Sequence, residues 1–189
     1  MHKGRLEAFS DGVIAIILTI MVLELKVPKE PTLEALGELW PVYTAYVLSY
    51  YNVFLVWLNH HDIFASLDGV NRPVLINNGL LLFVVSLVPF ATAFAGGSHW
   101  MAPLPVVLYG AVMAGVSLMF VRLRIAASAC ATSASAAACH LAEAKVSYRL
   151  ALMFLAGTAC AWFAPRAALF VFFAIPVIRR RTRPAAAPP

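Results

Sequence analysis

Arg5-Leu6-Glu7-Ala8-Phe9-Ser10-Asp11-Gly12-Val13-Ile14-Ala15-Ile16-Ile17-Leu18-Thr19-Ile20-Met21-Val22-Leu23 is the stretch that decides the fold. An arginine, two acids and a serine stand at the mouth of an otherwise apolar run, Gly12 to Leu23, in which Thr19 carries the single polar side chain. Charges beside a membrane helix are costly unless they are paired or face a wet cavity, so their presence calls for an explanation. A secretory leader does not supply it. Met1 to Arg5 is mildly basic, but Glu7 and Asp11 intrude and no small-residue cleavage site closes the run, so the segment reads as a retained first span.

The rest of the chain agrees with a membrane solvent. Of 189 residues, 62% are hydrophobic and only 12% charged, too few charges to cover a globular surface of that size. Mean hydropathy is +0.83. An all-α integral membrane protein is the class this composition allows. A bilayer core of about 30 Å takes roughly 20 apolar residues in a helix. Such runs lie near 6–26, 38–59, 74–95, 103–123, 146–164 and 166–179, which predicts six transmembrane helices in one channel-sized domain, 1–179. Pro165-Arg166 marks the turn between the fifth and sixth, and Gly96-Gly97-Ser98-His99-Trp100 the turn before the fourth.

The net charge of +5 could suggest nucleic acid, but its distribution argues for topology instead. One side of the predicted spans collects Lys3, Arg5, Arg72, Arg122, Arg124, Lys145, Arg149, Arg179, Arg180, Arg181 and Arg183, and the other only Lys26, Lys29 and Arg166. By the positive-inside rule both termini are cytoplasmic, which requires an even number of spans in the cell's inner (plasma) membrane. Residues 124–145, rich in Ala and Ser, are expected to be a cytoplasmic linker with helical tendency. The tail 180–189, basic and then Ala/Pro-rich, reads as a membrane-surface anchor followed by a disordered end. Cys130, Cys139 and Cys160 lack metal-type spacing and read as packing residues.

Within the first span, Gly12, Ile16, Thr19, Ile20 and Leu23 fall in roughly a 100° sector of a helix. Taken alone, such a stripe is ordinary helix packing. The Arg5-x-x-x-Phe9-Ser10-Asp11 spacing, however, resembles the signature that opens the TMEM175 family of potassium-permeable channels in its bacterial single-repeat form. Two further blocks in the right order resemble the family too: Trp57-Leu58-Asn59-His60-His61-Asp62, and Asn77-Asn78-Gly79 followed by Ser86-Leu87-Val88-Pro89-Phe90-Ala91-Thr92. The resemblance covers roughly residues 5–95. It implies a homotetramer in membrane lipid whose four first helices surround a central potassium pore. Ile16, Ile20 and Leu23 would then form a hydrophobic constriction, with Thr19 as a hydroxyl on the same path. It also implies a supporting network at the pore helix from Arg5, Phe9, Ser10, Asp11, one of His60 and His61, and Asn77 or Asn78. No cofactor is implied beyond the permeant potassium ion, and no nucleic acid.

A ring of isoleucines cannot replace an ion's hydration shell, so such a pore works as a steric and dewetting barrier that favours ions whose water is cheaper to distort. The chain has no TVGYG-like run, which excludes the ordinary carbonyl-lined potassium filter. Arg5 and Asp11 lie about 120° apart around one helix, so bonds to neighbouring helices are expected rather than a bond to each other. An interfacial salt bridge without a part in conduction is the plainer alternative. Pro89 is expected to kink the third span, and Asn77 or Asn78 to bond across helices.

Three rivals stand beside the channel. A proton-coupled or proton-conducting transporter would use Asp11 with His60 or His61. An intramembrane enzyme would need a nucleophile with a positioned base, and Ser10 with Asp11 has no such histidine in sequence. A non-conducting protein would use the first-helix stripe for packing alone. A metal site at His60, His61 and Asp62 is a poor fit, because adjacent histidines point to different helix faces.

Overall fold

The computed structural model describes residues 2–182, with side chains described through residue 175. The chain is all helical: α1 (Lys3–Ile20), closed by a 3₁₀ turn (Met21–Glu24), α2 (Leu33–Glu38), α3 (Trp40–Ala65), α4 (Arg72–Ser86), α5 (Val88–Gly97), α6 (Pro103–Ser128), α7 (Ala134–Phe163) and α8 (Pro165–Thr182). Among the described residues, four helical segments are long and apolar enough to cross a bilayer: Lys3–Glu24, Arg72–Gly97, Pro103–Ser128 and Ala134–Phe163. The anticipated kink in the third span is a break at Leu87 that separates α4 from α5, with Pro89 in the first turn of α5, where its missing N–H costs nothing. The 124–145 stretch is helix at both ends, the last turns of α6 and the first of α7, around a short turn. Ser133 caps the start of α7 by accepting from the Ala136 N–H at 3.1 Å, as Asn71 caps α4 through Val74 at 3.0 Å. The Ala/Pro-rich tail from residue 183 onward lies outside the described residues.

Helices α6 and α7 form an antiparallel hairpin, α8 folds back on it, α4 lies along α6, and α3 packs on α5. α1 rests on α3 and α4. The turns sort to two ends. At one, the Lys3 ammonium donates to the Leu67 carbonyl at 2.9 Å, and Leu67 pairs with Ala131 in a short antiparallel bridge. This end therefore holds the N-terminus, the α3–α4 turn and the α6–α7 turn. At the other, the fully buried Trp100 donates its indole N–H to the Pro41 carbonyl at 3.1 Å and meets Tyr109 edge-on at 5.7 Å. His99 and Trp100 both sit at left-handed φ, 55° and 57°. That conformation is uncommon for side chains of this bulk, and the indole's burial and hydrogen bond hold it in place.

Two glycines make room for α8. A Cβ on Gly157 would lie 2.7 Å from Phe172 Cε1, and one on Gly110 would lie 2.8 Å from Phe172 Cζ while colliding with Thr158 Oγ1. Phe172 fills the slot completely, 5.5 Å from the Tyr109 ring and 5.8 Å from that of Phe154. Gly79 has nothing within 4 Å of the same position. Gly157→Ala should therefore cost about 1–3 kcal/mol through overpacking, while Gly79→Ala should be neutral or stabilising. Thermal unfolding in detergent distinguishes them, and equal midpoints would contradict this account of α8.

Candidate functional site

α1 has two unlike faces. Leu6, Ser10, Ile14 and Ile17 are buried on the side that meets α3 and α4, and Met21 of the following 3₁₀ turn is buried as well, because an apolar stripe at helical spacing packs wherever a neighbour can cover it. The opposite face is left uncovered. Phe9 is 61% exposed, Ile16 61%, Ile20 41% and Leu23 78%, and a Cβ on Gly12 would meet nothing within 4 Å. Arg5, Phe9, Gly12, Ile16, Thr19 and Leu23 follow one another at steps of four, three, four, three and four residues, all of them exposed. They form one exposed seam along α1 and its 3₁₀ turn. Thr19 is exposed on this seam, and its hydroxyl donates to the Ile16 carbonyl of its own helix at 2.9 Å.

The buried face carries a chain of polar contacts. Ser10 Oγ donates to the Leu6 carbonyl at 2.8 Å and accepts from the Asn78 amide at 2.9 Å. Asn78 Oδ1 lies 2.8 Å from His60 Nε2. An amide oxygen can only accept, so His60 carries its proton on Nε2 and donates it. All three side chains are buried, and the His60 ring stacks on Phe64 at 4.4 Å. One amide thus joins α1, α4 and α3. A second contact lies nearer the surface: Trp57 donates its indole N–H to Asp11 at 3.0 Å, and His61 stacks on Trp57 with centroids 5.9 Å apart.

The predicted residues therefore divide. Ser10, His60 and Asn78 meet in one buried cluster, and Asp11 joins α3 through Trp57. His61 touches the group only by stacking. Asn77 turns outward, donating to the Pro73 carbonyl at 2.9 Å and accepting from Arg122 Nε at 3.0 Å, away from Asn78. Arg5 is exposed, on the uncovered seam. Sequence reasoning missed Trp57 as the partner of Asp11 and Lys3 as the partner of Leu67. The first had a readable signal, an indole one turn before the His pair. The second had none, since a backbone carbonyl leaves no mark in sequence.

A second buried polar group lies deeper between α3, α5 and α6. Thr92 Oγ1 stands 2.7 Å from Ser49 Oγ and 2.7 Å from the Val88 carbonyl, Ser49 donates to the Tyr109 hydroxyl at 3.2 Å, and Asn52 approaches that oxygen at 3.4 Å. These contacts hold helices together and do not reach the uncovered face of α1.

The family model for the endosomal/lysosomal potassium channel TMEM175 matches residues 5–89. A potassium channel of Chryseobacterium sp. (strain P1-3) is 51% identical over 110 residues, covering 58% of this chain and 57% of its own length. The chain thus spans little more than half of that relative. An endosomal/lysosomal proton channel TMEM175 of Gallus gallus is 34% identical over 115 residues, 52% of this chain and 23% of the relative. The crystal structure of a lysosomal potassium-selective channel TMEM175 homologue from Chamaesiphon minutus superposes with a TM-score of 0.83 at 28% identity, over 96% of this chain and 98% of that one. The opening signature and the three-helix cluster lie inside the matched region, and this multi-pass membrane protein is similar there to the TMEM175 channels and shares the helical arrangement of the Chamaesiphon minutus homologue.

Proposed function

We propose that four copies of this chain assemble around α1 and pass potassium passively down its gradient. The observation that carries this reading is the uncovered seam Phe9–Gly12–Ile16–Thr19–Leu23 on a helix whose other face is pinned by hydrogen bonds. One helix cannot enclose a pore, so a central path requires symmetry, and closed cyclic symmetry presents the same face four times. Six spans per subunit then correspond to α1, α3, α4 with α5, α6, α7 and α8, in a channel unit of residues 1–179 followed by the basic tail. α3 joins them, since at 26 residues it is about 39 Å long. Its Asn52, Asn59 and His60 are buried toward its own subunit rather than exposed to lipid. Both termini would face the cytoplasm across the cell's inner membrane, where the cationic end belongs. The potassium named for the Chryseobacterium and Chamaesiphon relatives supports the choice of ion.

In this assembly Ile16, Ile20 and Leu23 form the constriction and Thr19 offers the path a hydroxyl. The barrier is dewetting: an ion must thin its water shell to pass apolar rings, which costs potassium less than sodium. The network behind α1 keeps those rings at one radius. The proton named for the Gallus gallus relative gives the rival reading, in which protons move through Asp11 and His60 or His61.

Purified protein in liposomes, read for potassium, sodium and proton flux, tests both. Wild type should pass potassium faster than sodium. Ile16→Asn should raise sodium flux by about tenfold, equivalent to about 1.4 kcal/mol off the barrier, with a reduced potassium preference. A folded tetramer with no flux would end the channel reading, and proton flux that Asp11→Asn abolishes would favour the rival.

Asn78→Ala should lower stability by about 1–2 kcal/mol, because it leaves both Ser10 and His60 without their cross-helix partner, and should reduce potassium flux. Asn77→Ala, at an exposed pair, should change the unfolding midpoint by no more than the scatter of a surface substitution. Equal effects from the two would contradict the assignment of the network to Asn78.

A further inference from the structure

We propose that Lys3 is a positioning residue for α1, and that the α6–α7 hairpin sets the placement of that helix through it; the part concerning flux rests on the potassium-channel reading above. Lys3 opens α1, where a cation opposes the positive end of the helix dipole, so it does not serve its own helix. Its ammonium instead reaches the Leu67 carbonyl at 2.9 Å, just past the C-terminal end of α3, where carbonyls lack helical donors and positive charge is favourable. A charge-assisted bond in a half-buried place is stronger than a surface contact.

Leu67 is itself held. The Asp68 N–H donates to the Cys130 carbonyl at 3.1 Å, and the Thr132 N–H donates to the Ser66 carbonyl at 3.1 Å, on either side of the Leu67–Ala131 pair. Two backbone bonds thus fix the α3–α4 turn to the α6–α7 turn. A third contact reinforces them. Ser66 Oγ, 2.8 Å from the Ile63 carbonyl, also lies 3.0 Å from His140 Nε2 on α7, within hydrogen-bond distance. Behind His140, the buried Arg124 of α6 and the half-buried Glu143 of α7 form an ion pair at 3.7 Å that ties the two arms of the hairpin. From that ion pair to Lys3 the hairpin, the turn and α1 are joined by named contacts. Lys3 lies two residues before Arg5, where the uncovered seam begins, and two turns before the Ser10 anchor. A shift of the hairpin would therefore tilt α1 about Ser10.

The test uses the full-length protein in liposomes, with Lys3→Gln, Lys3→Arg, Thr132→Pro and the Lys3→Gln/Thr132→Pro double variant. Thr132→Pro removes one bridge donor, and Asp68→Pro, which removes the other, replaces it if Thr132→Pro does not fold. Two readouts are taken: potassium flux, and hydrogen exchange of the amides of residues 7–11. Lys3→Gln and Thr132→Pro should each change flux at least threefold and speed that exchange at least threefold. Lys3→Arg, which keeps a cationic donor, should match wild type, and the double variant should go no further than the stronger single. The proposal is overturned if Lys3→Gln matches wild type in both readouts, if the bridge variant leaves those amides unchanged, or if the two effects multiply. Absence of flux in wild type would sink the channel reading alone, and the exchange result would still decide whether the bridge holds α1.

Discussion

The arrangement depends on one amide. Asn78 uses both ends of its side chain, accepting from His60 and donating to Ser10, and so fixes α4, α3 and α1 to one another at a buried point. Inside an apolar medium no water stands ready to replace a lost partner, so a three-membered chain of this kind sets the relative rotation of the helices as well as holding them together. Rotation is what matters for α1. With Ser10 aimed inward, Leu6, Ile14 and Ile17 follow it into the core, and Phe9, Ile16 and Leu23 are left on the outside.

Much of this was legible in the sequence, and the limits have physical reasons. The spacing of Arg5, Phe9, Ser10 and Asp11 marked α1, and the later Trp-His-His and Asn-Asn blocks marked the helices that meet it. What sequence did not resolve was which member of each pair does so. His60 and His61, like Asn77 and Asn78, are neighbours about 100° apart on a helix, and only the phase of that helix against its neighbours selects one. The structure turns His60 and Asn78 inward, while Asn77 goes to Arg122 and His61 to the face of Trp57. In the Ala-rich stretch after Arg124, alanine favours helix without saying what covers it. Buried Arg124 and His140 give it a packed face that composition could not reveal.

α3 illustrates how a spanning helix accommodates polar side chains. Its Ser49, Asn52, Asn59 and His60 are all buried. Ser49 and Asn52 serve Tyr109, His60 serves Asn78, and Asn59 turns back to the Leu55 carbonyl at 2.9 Å. A helix that carries its polar groups inward presents lipid with an apolar exterior, and its cost in hydropathy returns as interhelical bonds.

The slot that receives Phe172 also bears on assembly. Its walls come from both arms of the hairpin, Gly110 and Tyr109 on α6 and Phe154 and Gly157 on α7, so the slot is complete only once the hairpin has closed. Synthesis runs in the same direction, since α6 and α7 leave the ribosome ahead of α8, and the slot can stand ready when Phe172 arrives.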